Sequence, residues 1–369
     1  MSDIVTLQIG GVNFAGWLSV EVARSIEAAA SSFSLSVSAR YPGELNPTRI
    51  PPGAACELWI GTDKVITGYV DRVKPSIDAA SHSITVAGRS KTCDLIDCAA
   101  APDKASPKRW RGRTLDQLAA ELAKPYGVEV VTIDPTGAAF SRIALERGET
   151  VFEAIDRYAR QRQVLVCDDT AGRLVLTRTG HRRSSTGIAE GANMLTGESE
   201  ADASQIFSTY VVKGQRIGDD EDFGDTVAQI SGEASDPGCT RRRVTVINAE
   251  NHTSRAFAKA RAQWEAATRL GKSLSATITV QGWRERPGGL LWAPNVLVGV
   301  LSASLALDGD FLIAEVSYRL DDAGGEIAEL KLAPPAAYLS EPIKVKSRGG
   351  GGLWKEIRTG AKLPPKAAP

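Results

Sequence analysis

Cys56-Glu57-Leu58-Trp59-Ile60-Gly61, Val65-Ile66-Thr67-Gly68-Tyr69-Val70-Asp71-Arg72-Val73 and Ser83-Ile84-Thr85-Val86-Ala87-Gly88-Arg89 are three consecutive runs in which apolar and polar residues alternate and glycine marks the breaks. A period of two puts one set of side chains against a core and the other in water, the mark of a half-buried β-strand. Upstream, Ile4 to Ile9 turns through Gly10-Gly11 into Val12 and Phe14 as a hairpin, and Trp17 to Arg24 and Ser32 to Arg40 are further strands. About six or seven strands in so short a stretch fit one barrel.

The same pattern is written a second time. Ser273 to Trp283, Val296 to Val300, Asp310 to Leu320 and Glu326 to Leu332 read as a four-strand run, preceded by strands at Ile206 to Val212 and Val244 to Ile247. An Ala- and Arg-rich helix from Thr253 to Leu270 accompanies them. Between the two β regions, Leu115, Leu118, Ala119 and Leu122 form one stripe of a helix that Thr114 caps and Pro125 ends, with Gln117 at the capping-box position. A second helix over Glu149 to Gln161 and a hairpin from Val164 to Leu176 complete a compact insert.

The expected fold class is mainly β with an α+β insert: two similar β-barrel domains, a small helix-containing domain between them, and an extended C-terminal tail. The expected bounds are 1–104 for the first barrel, 105–180 for the insert and 181–204 for an exposed connector rich in Ser, Gly and Glu. The second barrel with its helix takes 205–335, and 336–369 is a Gly-, Pro- and Lys-rich tail with no core of its own, in which Leu353-Trp354 is an apolar hook for a partner.

Composition excludes several classes of function. The 369 residues are 43% hydrophobic, near the globular average and enough for two or three cores. Forty-four basic and forty-four acidic residues cancel, so no global field draws the chain to nucleic acid or to an anionic membrane. The apolar stretch Leu290 to Leu307 is broken by Pro294, Asn295 and Gly299 and is too short to span a bilayer. Met1-Ser2-Asp3-Ile4-Val5 lacks the basic and apolar regions of a signal peptide, which predicts a protein made and kept in the cytoplasm.

Candidate chemistry is sparse. Cys56, Cys93, Cys98, Cys167 and Cys239 form no C-x-x-C pair and are odd in number, which fits buried thiols better than disulfides. His82, His181 and His252 are too scattered to complete a zinc site. The acidic run Asp219 to Asp225 invites calcium, but with Asp220 first an aspartate, Asp225, takes the sixth place that an EF-hand reserves for glycine, so a solvated loop is favoured. Lys108 to Arg113 and Arg241 to Arg243 are basic enough to grip phosphates, yet such runs in a neutral chain are more often solvated faces or subunit salt bridges. Gly88-Arg89-Ser90-Lys91-Thr92 only looks like a phosphate loop. The acid pairs Asp94 with Asp97 and Glu149 with Glu153 are of a kind common at helix ends. No catalytic, cofactor-binding or metal-binding residue is assigned and no small-molecule ligand is expected. A part built for shape is the leading reading, with a tail-associated cell-wall hydrolase or a nucleic-acid-binding module as alternatives.

The order of landmarks resembles the baseplate hub proteins of contractile-tailed phages, in particular the Mu-like tail hub. The matching phrases are Trp17 with Glu21-Val22-Ala23-Arg24-Ser25, Thr67 to Asp71, Gly88-Arg89-Ser90-Lys91 with Asp94 to Cys98, and Gly148-Glu149-Thr150. Gly191-Ala192-Asn193, Val211 to Gln215, Arg261 to Glu265, Gly282-Trp283 and Leu291 to Asn295 continue them to about residue 338. The resemblance implies a homotrimeric, pseudo-six-fold ring joining the tail tube above to the trimeric central spike below, with a channel through which DNA passes transiently. Baseplate wedge and tape measure proteins are further possible partners, and the location implied is the virion, after assembly in the host cytoplasm. The family carries no catalytic residues to transfer.

Overall fold

The computed structural model describes residues 3–38, 50–77, 82–101, 108–214, 230–248, 255–321 and 325–338. His252, the acidic run 219–225 and the tail from 339 onward, with Leu353-Trp354, lie outside the described residues.

The first β unit holds β1 (Val5–Ile9), β2 (Val12–Phe14), β3 (Ser19–Ser25), β4 (Ser32–Ser38), β5 (Ala55–Ile60), β6 (Asp63–Ile77) and β7 (His82–Ser90). The insert follows as α1 (Cys93–Asp97), β8 (Arg109–Trp110), α2 (Leu115–Ala123), β9 (Val130–Thr132), β10 (Ile143–Ala144), α3 (Val151–Arg162), β11 (Leu165–Asp168) and β12 (Leu174–Thr177). Then come β13 (Arg182–Arg183), β14 (Ile188–Ala189), β15 (Met194–Ala201), β16 (Thr209–Gly214), β17 (Ile230–Ser235), β18 (Val244–Asn248) and α4 (Arg255–Lys272). The chain closes with β19 (Leu274–Gln281), β20 (Val296–Ser302), β21 (Leu307–Asp321) and β22 (Gly325–Ala333).

Two separate closed barrels are not what these strands form. Among the described residues they make one 14-stranded sheet, in which β3 of the first unit pairs antiparallel with β21 of the second. The reason lies at that seam. Val20 and Val22 face Leu320 and Tyr318 across it, and Val20, Val22 and Tyr318 are nearly or wholly withdrawn from water in a core shared by both units. Splitting the units would expose that apolar surface, at roughly 25 cal/mol per Å².

The duplication survives in the order of pairing. The first unit runs β3-β4-β7-β6-β5 and the second β15-β19-β22-β21-β20, every neighbour antiparallel. Both long strands, β6 and β21, are 15 residues long and bulge near the middle, between Val70 and Arg72 and between Ile313 and Glu315. A bulge bends the strand and raises its twist, so one strand can serve different partners along its two halves.

Three expectations change. The 181–204 stretch is not a free connector: β13 and β14 pair parallel with β20, and β15 forms one end of the sheet. Among the described residues, the strands between 209 and 248 do not join the second unit's sheet. β17, β16 and β18 form a separate three-stranded sheet under α4, with a small core of Tyr210, Val212, Ile230, Ala258 and Ala262. The beginning of the tail is folded, because Pro335–Ala337 forms a short 3-10 turn seated on Gly271 of α4, and the Tyr338 hydroxyl donates to Glu27 at 2.9 Å.

The insert matches its reading more closely. Both α2 and α3 carry capping boxes, Thr114 with Gln117 and Thr150 with Glu153, and their buried stripes meet in a core with Leu174 and Leu176. β9, which joins β12 in parallel, adds a third strand to the expected hairpin. Asp168 fastens the insert to the first unit by accepting from the Ser31 amide and hydroxyl, each at 2.9 Å.

At the far end of β14, the Glu190 carboxylate accepts from the Ser302 hydroxyl at 2.7 Å, the Ser304 amide at 3.0 Å and the Ser304 hydroxyl. The hydroxyls of Ser304 and Ser302 hold its pKa at about 2, against an ordinary 4.5. A depressed carboxylate contributes stability that is fully present above its unfolded value and is lost as pH falls through its folded value. Glu190→Gln is therefore expected to melt below wild type at neutral pH, the gap closing between about pH 4.5 and about pH 2. Thermal melts across that window check this, and a gap indifferent to pH refutes it.

Candidate functional site

The residues that invited chemistry are used for structure. Glu149 faces Arg157 at 2.7 Å and accepts the Glu146 amide, while Glu153 completes the α3 cap. Both carboxyls are committed to hydrogen bonds within the insert. Asp97 accepts two guanidinium hydrogen bonds from Arg89, which also reaches Asp71 at 2.7 Å, and this pairing holds the Asp97 carboxyl below the usual range. These groups line an open cleft of about 360 Å³ with Tyr69, Cys93 and Asp94. Three carboxylates, Asp71, Asp94 and Asp97, share it with one cation, Arg89, which is spent on Asp71 and Asp97.

Burial pushes the thiols of Cys56 and Cys167 up to about 12 and that of Cys93 up to about 11, far from the thiolate a nucleophile needs. Cys98 and Cys239 are partly exposed, and all five cysteines are free thiols. His181 binds Asp134 at 2.7 Å, and His82 sits at the start of β7. Among the described residues no cluster of three His, Cys, Asp or Glu is placed to hold a metal ion.

The basic runs are partly absorbed as well. Trp110 donates to Glu121 at 2.7 Å and Arg113 pairs with the same carboxylate at 3.0 Å, binding the 108–113 stretch to α2. Arg243 lies over the Phe207 ring and donates to the carbonyls of Ala203 and Ser204, leaving Arg241 and Arg242 exposed beside it. Gly88 is a packing glycine, not a phosphate cradle, since a Cβ there would meet the Tyr69 carbonyl at 2.2 Å and the Phe33 ring at 2.6 Å.

What the molecule offers instead is sheet surface. On the face opposite the shared core, Glu21 lies across from Arg319 at 3.7 Å, Arg319 meets Glu329 at 2.9 Å and Lys331 meets Glu315 at 2.8 Å. This face carries both signs, three glutamates sharing two cations. Arg284 ties the second unit to the first, reaching Asp3 at 2.6 Å and Asp63 at 2.8 Å. Arg182 pairs with Glu285, whose buried carboxylate also accepts from the Ser185 amide and hydroxyl.

Two features of this surface escaped the sequence. The β3 to β21 seam is a pairing between residues about three hundred apart, which no local pattern signals. β15 is nearly all exposed, so Met194-Leu195-Thr196-Gly197-Glu198-Ser199-Glu200-Ala201 carries no inside-outside alternation. Its one readable sign is the pair of acids at alternate positions, Glu198 and Glu200.

Comparison with known proteins bears on what such a surface is for. Residues 4–90 match the family described as Mu phage baseplate assembly protein GpP-like, N-terminal; residues 92–178 match baseplate hub protein gp44-like, second domain; and residues 254–341 match Mu phage baseplate assembly protein GpP, fourth domain. The baseplate hub protein gp44 of Escherichia phage Mu is 38% identical over 362 residues, covering 95% of this chain and 93% of that one. The crystal structure of the 43 kDa tail protein of prophage MuSo2 from Shewanella oneidensis is similar at a TM-score of 0.79 and 34% identity, covering 91% of this chain and 99% of that one. A tail protein from Neisseria meningitidis MC58 shares the fold at a TM-score of 0.79 and 21% identity, covering 93% and 99%.

Proposed function

The chain belongs to the Mu-like baseplate hub protein family, a structural component of the phage tail baseplate and not an enzyme, and from that premise we propose that three copies close a ring between the tail tube and the central spike. The observation that carries the reading is the repeated strand order, β3-β4-β7-β6-β5 and β15-β19-β22-β21-β20, within one sheet. Two like units in each of three chains give six near-equivalent positions, and a ring so built is three-fold by chain and nearly six-fold by surface. That allows it to meet a hexameric tube on one side and a trimeric spike on the other.

The sheet face opposite the core is the natural lining of the bore. Glu21, Glu315 and Glu329 alternate there with Arg319 and Lys331, so the named charges leave no basic excess. A bore of this kind lets DNA pass, whereas a strongly basic one would hold phosphates through counterion release. The insert and the small sheet under α4 then stand away from the ring as contact surfaces for other baseplate proteins, with wedge and tape measure proteins the expected classes.

Sedimentation of the full chain with negative-stain microscopy tests this. A species of three times the 39.2 kDa chain mass, seen as a hollow ring, is the expected result. A monomer at the highest attainable concentration, with no ring in isolated tails, overturns it.

A further inference from the structure

The ladder registers allow the two β units to be matched residue by residue. Past the bulges, Arg72, Lys74, Ser76 and Ile77 of β6 fall with Glu315, Ser317, Arg319 and Leu320 of β21. Followed outward through β7 and β22, then β4 and β19, the match brings Val20, Glu21, Val22 and Ala23 of β3 onto Gly197, Glu198, Ser199 and Glu200 of β15. Glutamate falls on glutamate, and Leu35 and Val37 of β4 fall on Ile278 and Val280 of β19.

Inside the chain, β3 lies along the second half of β21, from Ser25 opposite Glu315 to Val20 opposite Leu320. The corresponding half of β6, from Arg72 to Ile77, has β7 as its one strand partner among the described residues, and β15 has only β19. Both edges are largely exposed. Each is therefore one side of a junction whose internal counterpart is already made.

We propose that β15 of one protomer adds antiparallel to the second half of β6 in a second copy of this chain, in the register that β3 and β21 use within one chain. That register sets Glu200 opposite Lys74 and Asp202, just past the end of β15, opposite Arg72, with Glu198 opposite Ser76 and Gly197 opposite Ile77. An acidic edge meets a basic one, and the match was not imposed: it follows from the internal seam alone. A slip of one residue would send the paired charges to opposite faces of the sheet.

Apolar surface agrees with the charges. Ile77 is 72% exposed and Leu195 51% exposed in the single chain, and both come to the same end of the junction. The contact is head to tail, so its repetition generates a ring in which three junctions lie within chains and three between them. This inference rests on the ring reading proposed above.

Charge exchange in the full-length chain tests it. Lys74→Glu and Glu200→Lys each place like charges opposite one another, and each is expected to weaken trimer association about ten-fold at low salt, with less effect at high salt. Combining the two restores association to within about three-fold of wild type. Both positions are exposed, and circular dichroism verifies that each variant is folded. Wild type trimeric, with single variants equally trimeric or the double no better than the singles, overturns the strand pairing and leaves the ring reading standing. Wild type monomeric throughout overturns both.

Discussion

Replacing Trp283 by alanine is expected to destabilise the β body by about 3–5 kcal/mol, the cost of emptying a buried aromatic site that cannot collapse. Trp283 is only 1% exposed, and its indole N–H donates to the carbonyls of Arg319 at 3.0 Å and Ile327 at 3.1 Å. Its ring meets Tyr318 edge to face at 6.5 Å, and Tyr318 in turn faces Val22 of the first unit and donates to the Trp292 carbonyl. The amide of Trp292 closes the circuit on the Trp283 carbonyl at 3.0 Å. One side chain thus supports β21, β22 and the seam together.

Because the same core runs from Leu7 and Leu58 to Val316 and Leu330, both β units should lose structure in one transition when Trp283 is removed. Trp283→Phe keeps most of the volume and deletes the donor, and a loss of about 1–2 kcal/mol is expected. Urea unfolding followed by circular dichroism and by fluorescence measures both variants. If one β unit melts separately and unshifted in Trp283→Ala, the shared core is not the unit of stability.

How far the sequence revealed this molecule depended on where each strand sits. β5 has one dry face and one wet face, so the burial of Cys56, Leu58 and Ile60 follows the alternation directly. The helices of the insert were equally legible, since caps and stripes are local signals. β15 reads as connector in the sequence because a strand wet on both faces has no period to detect, and β13 and β14 are two residues each. The strands under α4 do alternate, yet periodicity says nothing of which sheet a strand enters. Tyr210 and Val212 point into a core with Ala258 and Ala262 instead of the main one. Sequence likewise exposed the repeat without its geometry, because barrel or open sheet is decided by long-range edges. The acids Glu149 and Glu153 flank a helix start, a local position that sequence signals, and the structure uses both there.

A second large loss is expected at Gly68, where β6 passes from its pairing with Cys56 of β5 to its pairing with Ser90 of β7. A Cβ on Gly68 would lie 1.9 Å from the Arg89 carbonyl oxygen and 2.6 Å from the Ser90 Cα. Both obstacles are backbone, so no rotamer change relieves them and the two strands must part. Gly68→Ala should cost about 3 kcal/mol or more, at the upper end of overpacking, from the addition of one methyl group. Gly112→Ala provides the comparison. Gly112 has φ +64° and no heavy atom within 4 Å of its Cβ position, so its substitution carries only the left-handed penalty of about 1–2 kcal/mol. Urea midpoints at unchanged m-value separate the two causes, and equal losses at both sites would remove the close approach as the explanation. The consequence for assembly follows from position. Residues 72–77, the edge proposed to meet a neighbouring protomer, hold their register through β7, and prying β6 from β7 at Gly68 releases that register at its root. Trimer formation by Gly68→Ala should therefore fall at temperatures where the remaining fold is still intact, and sedimentation alongside circular dichroism would reveal the two losses in that order.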